Sequence, residues 1–185
     1  MNPSAAWLGE IFGDEALWRP AETPRHLVDT ATLAFLREVG FPAVLLDSVG
    51  VDATFLPVKG LWEADTDELF GRRTPDDDSP PTEISYCFAT YGESHLMVDG
   101  DTGRVEIYVA DGWDHGEGYG GLAFDGIAEL AGAFGLIARF EPRITGDDPG
   151  SAIAELRAAV TEPGGEDGPF WTHVFETLDE EFGEG

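Results

Sequence analysis

Basic residues are what this sequence has least of. Ten lysines and arginines stand against 37 aspartates and glutamates in 185 residues, Lys59 is the only lysine, and the formal net charge is −27. A surface of that sign repels phosphate and argues against direct nucleic-acid binding. Cysteine is nearly absent too. Cys87 is the single one, so an internal disulfide and a multi-cysteine metal site are excluded, and its place in a strand pattern points to packing. No run approaches the roughly 18 apolar residues of a membrane helix. The first residues lack the basic start and apolar middle of a signal peptide. The expectation is a soluble, cytoplasmic protein with neither membrane nor nucleic acid as a partner.

What is present is an ordinary apolar fraction, 42%, in a chain of the length that forms one domain with one substantial core. A single domain over residues 1–185 is expected. The acidity has two explanations that composition leaves open: a solvated surface that maintains solubility or suits high salt, and steering toward a basic partner.

The clearest pattern lies in the middle of the chain. Ile84, Tyr86 and Phe88 alternate with Ser85, Cys87 and Ala89, and Val105, Ile107 and Val109 alternate with Glu106 and Tyr108, the period of half-buried strands. Between them, after Leu96-Met97-Val98, Asp99-Gly100-Asp101-Thr102-Gly103 predicts a hairpin turn with positive φ at both glycines and acids capping it. Before this sheet, Trp7 to Arg19 suggests one or two short helices ended by Pro20. Asp29 to Val39 forms a helix capped by Asp29 or Thr30 and stopped by Gly40 and Pro42. Ala43–Leu46 reads as a short strand, Thr54–Pro57 as another or as an edge segment, and Leu61–Phe70 as an extended piece followed by a helical turn. Arg72–Thr82, with Asp76, Asp77, Asp78 and three prolines, reads as an exposed loop.

After the sheet, Asp111–Gly121 carries five glycines and reads as a loop whose backbone lies close to something else. Leu122–Phe140 is expected to be helical with Asp125 as its cap, Gly132 and Gly135 allowing close packing on the sheet. A helix capped by Ser151 follows, then one from Pro169 to Phe182, where Trp171, Val174, Phe175, Leu178 and Phe182 share a face. Strands in the middle with helices on both sides indicate an α+β fold with a central, mostly antiparallel β-sheet flanked by helices.

Constellations that would carry chemistry fail in turn. Asp99-Gly100-Asp101 begins like a calcium loop, but the sixth position is Arg104, where glycine is needed, and the twelfth is Ala110, where glutamate is needed. Asp114, His115 and Glu117 lack the spacing of a metal site. Cys87 with His95 or His115 would be a nucleophile and base, but a cysteine between Tyr86 and Phe88 in a strand reads as inert. Gly118 to Gly121 lacks the spacing of a phosphate loop. No catalytic residue, cofactor or metal is expected.

Leu17-Trp18-Arg19-Pro20, Thr32–Pro42 (TLAFLREVGFP), the turn from Asp99 to Val105 and the late helix opening Phe170-Trp171 resemble one family over roughly Gly13 to Leu178. The chain is similar to the SUKH superfamily of bacterial immunity proteins, related to the Smi/Knr type, and most to its fourth subfamily. The resemblance implies the same α+β fold and a non-enzymatic role, the binding and neutralising of a polymorphic toxin, often a nuclease or nucleic-acid deaminase. It also permits a regulatory or scaffold protein that binds an endogenous partner. A toxin that processes nucleic acid presents a basic surface, to which −27 is complementary. The residues expected to meet it are on the loops at the sheet margin: Asp76, Asp77 and Asp78; Glu93; Asp99 and Asp101; Asp111, Trp113, Asp114 and Tyr119. For Trp113 and Tyr119 the alternative is that they fold back over the sheet.

Overall fold

A computed structural model describes residues 3–73, 79–110, 118–161 and 168–183. The chain begins with helix α1 (Ala5–Phe12), whose first turn Ser4 closes by accepting from the Trp7 amide at 3.2 Å. A single 3-10 turn leads to strand β1 (Leu17–Trp18), which pairs with β2 (Phe41–Pro42). Helix α2 (Thr30–Glu38) is set by Asp29, whose Oδ2 accepts from the Thr32 amide at 2.7 Å. Such a cap contributes about 1 kcal/mol. The helix stops at Gly40, whose φ of 88° suits only glycine.

Strands β3 (Leu45–Leu46) and β4 (Val51–Asp52) are two residues each. The strand expected at Thr54–Pro57 does not form there. Leu56–Lys59 is a turn of helix, α3, with Pro57 in its first turn, where the missing N–H would have no intrahelical partner anyway. The extended piece and helical turn expected after Leu61 are β5 (Trp62–Asp65) and α4 (Thr66–Leu69), the latter capped by Asp65.

The four long strands are β6 (Ile84–Tyr91), β7 (Ser94–Asp99), β8 (Val105–Val109) and β9 (Tyr119–Phe124). They form one antiparallel sheet ordered β3-β4-β6-β7-β8-β9, with β5 beside the first half of β6. The hairpin after Val98 is present, but of its two glycines only Gly103 has positive φ. Gly100 is required for another reason: a Cβ there would collide with the His26 carbonyl and fall 2.9 Å from that of Ile84.

Leu122–Phe124 were expected to be helical and are strand. β8 would otherwise be an open edge, and pairing Glu106 with Leu122 and Val105 with Phe124 fills it. Helix α5 (Ile127–Ile144) therefore starts later, with Gly126 rather than Asp125 at its cap position. Gly135 faces α1 and not the sheet, since a Cβ would meet the Trp7 ring. Helix α6 (Pro149–Thr161) begins before Ser151, and the capping acceptor is Asp148 Oδ1, 3.3 Å from the Ser151 amide. Helix α7 (Pro169–Phe182) has the expected bounds.

The two faces of the sheet are covered unequally. On the inner face one hydrophobic cluster runs from Leu8 to Leu178. Phe41 sits at its centre, edge-on to Phe88 of β6 and Phe134 of α5, each at 5.3 Å. A bulge between Cys87 and Ala89 turns Phe88 and Ala89 inward together and returns Thr90 to the outside. The outer face carries a small cluster: Leu69 and Phe70, with Cys87, Met97 and Tyr108 beneath them.

Candidate partner-binding face

On the outer face, register sets the neighbours. Trp62 of β5 lies opposite Cys87, Cys87 opposite Met97, and Met97 opposite Glu106. One step along, Thr90, His95, Tyr108 and Tyr119 lie in a row across four strands. The result is a group of rings: Trp62 to His95 at 5.5 Å, His95 to Tyr108 at 5.5 Å and Trp62 to Tyr108 at 6.4 Å. Phe70, which ends α4, packs edge-on to Tyr119 at 5.0 Å. At the rim of this group Trp62 is 44% and Tyr119 45% exposed.

The electrostatics of the face follow from its burial and its acids. Burial holds His95 below the ordinary imidazole pKa, opposed in part by the Glu93 backbone. Burial raises the pKa of Glu106, with Arg72 and Arg104 acting against it. The Tyr108 and Tyr119 phenols are raised, first by burial, then by the charges of Glu68 and Glu106 respectively. Cys87 beneath is pushed up to about 12 by burial. A thiol held that far from ionisation is no nucleophile, in keeping with the packing role expected of it. Among the described residues no group of three or more His, Cys, Asp or Glu could hold a metal, and no helix is long and apolar enough to cross a membrane.

The model of the family described as SUKH-4 immunity protein matches residues 3–114. The chain belongs to the SUKH-4 immunity protein family. That bears out the resemblance carried by Leu17–Pro20, Thr32–Pro42 and the Asp99–Val105 turn, all of which lie inside the match. Strand β9 and helices α5, α6 and α7 lie beyond it. Neither the curated proteins nor the solved structures give a match.

In this SUKH-4 protein the expected contact residues fall at two ends of the sheet. Glu93 is in the turn between β6 and β7, and Tyr119 opens β9 near the same end. Asp99 and Asp101 are at the other end of β7, roughly 15 Å away at about 3.3 Å per residue. Asp101 is exposed. Asp99 is only 7% exposed, and its Oδ1 accepts from the Asp101 amide and from the amide and hydroxyl of Thr102. Its carboxylate is therefore committed to the turn. Asp76, Asp77, Asp78, Asp111, Trp113 and Asp114, like His115 and Glu117, lie outside the described residues. Tyr119 is itself a strand residue, paired with Tyr108, and its exposed ring packs against Phe70. Gly118 gives physical content to the glycine-rich stretch, because a Cβ there would collide with the Leu69 carbonyl.

Trp62 and His95 were not among the expected residues. The signal was present for Trp62, an isolated tryptophan in an acidic stretch, alternating with Ala64 on one face. His95 carried none, because its neighbours come from other strands.

Proposed function

We propose that this SUKH-4 protein works in the cytoplasm as a non-enzymatic immunity protein, binding a cognate protein toxin that processes nucleic acid. Family membership over residues 3–114 carries the reading. The charge of −27 supports the chemistry of the partner. A nuclease or deaminase domain presents lysines and arginines to phosphate, and an acidic protein competes for that surface while accelerating encounter. Occlusion of the toxin's active cleft then needs no chemistry from the immunity protein.

The test is co-expression with the C-terminal domain encoded in the neighbouring reading frame. Cells that die from the toxin alone are expected to survive with this protein present, and the purified pair to bind with an affinity that falls steeply as salt rises. Failure of every neighbouring toxin domain to bind or be neutralised would overturn the proposal.

A further inference from the structure

We infer that the outer sheet face, rimmed by Trp62 and Tyr119 with His95 and Tyr108 between them, is where the toxin docks, and that it receives an arginine- or lysine-bearing loop. The inference rests on the toxin-binding reading above and adds the place and the chemistry of contact.

The first argument is coverage. The inner face of the sheet is closed by helices, with Phe134 of α5 packed through Phe41 onto Phe88 and Phe170 of α7 against Tyr91 and Phe124. On the outer face Trp62 and Tyr119 keep nearly half of their surface in water. Large rings at that exposure are the residue types that dominate binding energy when a partner desolvates them.

The second argument is charge. Glu68 and Glu106 are near enough to Tyr108 and Tyr119 to raise their phenol pKa values, with Arg104 and Arg72 acting the other way at Tyr119, and Glu93 stands in the turn beside His95. With its pKa lowered by burial, the His95 imidazole is neutral at pH 7 and adds no repulsion. The rings of the Trp62, His95 and Tyr108 group cross at 43° to 61° rather than stacking flat on one another. Ring faces set among carboxylates attract a cation and repel phosphate or an acidic partner.

The third argument is that the face already takes a guanidinium. The chain's own Arg72 lies 5.4 Å from the centre of the Phe70 ring, which packs on Tyr119, while bonding Glu83 at 2.8 Å. A basic residue of the toxin would repeat this arrangement over the exposed rings next to it.

The experiment measures binding of the purified neighbouring toxin domain to the full chain and to Trp62→Ala, Tyr119→Ala and Glu10→Gln. Loss of an aromatic anchor is expected to weaken binding by about tenfold or more, whereas Glu10→Gln, exposed on α1 on the helix-covered side of the sheet, leaves it unchanged. Hydrogen exchange on the wild-type complex provides a second reading that needs no variant, with protection expected at Trp62–Asp65 and Tyr119–Phe124. Wild-type affinity in both ring variants, or a footprint at the Asp99–Gly103 turn instead, would overturn the inference while leaving toxin neutralisation standing. A wild-type chain that binds no neighbouring toxin domain removes both.

Discussion

The amide of Asp29 donates to the carbonyl of Gly100 at 3.0 Å, tying the cap of α2 to the turn between β7 and β8. The amide of Val28 joins the same oxygen at 2.8 Å, and Gly100 in turn donates to the Ile84 carbonyl at 2.8 Å. The hairpin turn is thus the seat on which the segment leading into α2 docks.

Gly100→Ala is expected to destabilise the fold by about 2 to 3 kcal/mol, because a methyl group cannot enter between two carbonyls without moving a backbone. Denaturant unfolding measures it. An unchanged midpoint would show that the Leu27–Asp29 segment yields freely.

Asp99 and Asp101 should separate cleanly. Removing the Asp99 carboxylate leaves the amide and hydroxyl of Thr102 without their acceptor, which costs about 2 kcal/mol. Asp101→Ala, at an exposed position, stays within about 0.5 kcal/mol. Melting temperatures of the two variants compare them directly.

Trp7 and Gly135 form a pair across α1 and α5. Gly135→Ala gains up to about 1 kcal/mol of helix propensity but collides with the Trp7 ring, for a net loss of about 1 to 2 kcal/mol. In the Trp7→Ala background that collision is gone, so the same substitution becomes neutral or stabilising. A double-mutant cycle detects the change of sign.

Cys87 is expected to resist alkylation by iodoacetamide at pH 8 in the folded protein and to react only as the chain unfolds. Its folded pKa of about 12 lies above the ordinary value of 9.0. A raised pKa contributes stability that is complete below that ordinary value and is lost as pH rises toward the folded one. The Tyr91 phenol, raised from 10.0 to about 12 by burial, adds to the same loss. Melting temperature should therefore fall from about pH 9 upward.

His173 packs against Tyr91 at 4.4 Å, and burial lowers its pKa despite Glu176 and Glu180. A depressed histidine contributes stability that is present above its ordinary pKa of 6.5 and lost as pH falls through the folded one. Relative to His173→Gln, the wild type should lose stability between about pH 7 and pH 5. A constant difference across that range would count against burial as the cause.

Much of this molecule was legible locally. Asp29 before an apolar stripe and Gly40 after it marked α2, and the spacing from Trp171 to Phe182 marked α7, because caps and a 3.6-residue period are properties of one segment. The errors arose where a partner decided. Leu122–Phe124 has no strand signature of its own and became strand because β8 offered an open edge. Asp148 rather than Ser151 caps α6 because the helix starts earlier, at Pro149, and either residue type makes a good cap.

The α+β class, the central hairpin, the inert place of Cys87, the acidity and the SUKH-4 family were all written in the order of the residues. They follow from period, turn chemistry, charge and motif, which act over short stretches. Two things had to await the folded chain: which sheet face the helices cover, and that Trp62, His95, Tyr108 and Tyr119 meet on the open face. An alternating pattern names two faces without saying which is buried. Register and the bulge at Cys87 then bring together side chains from strands far apart in the chain.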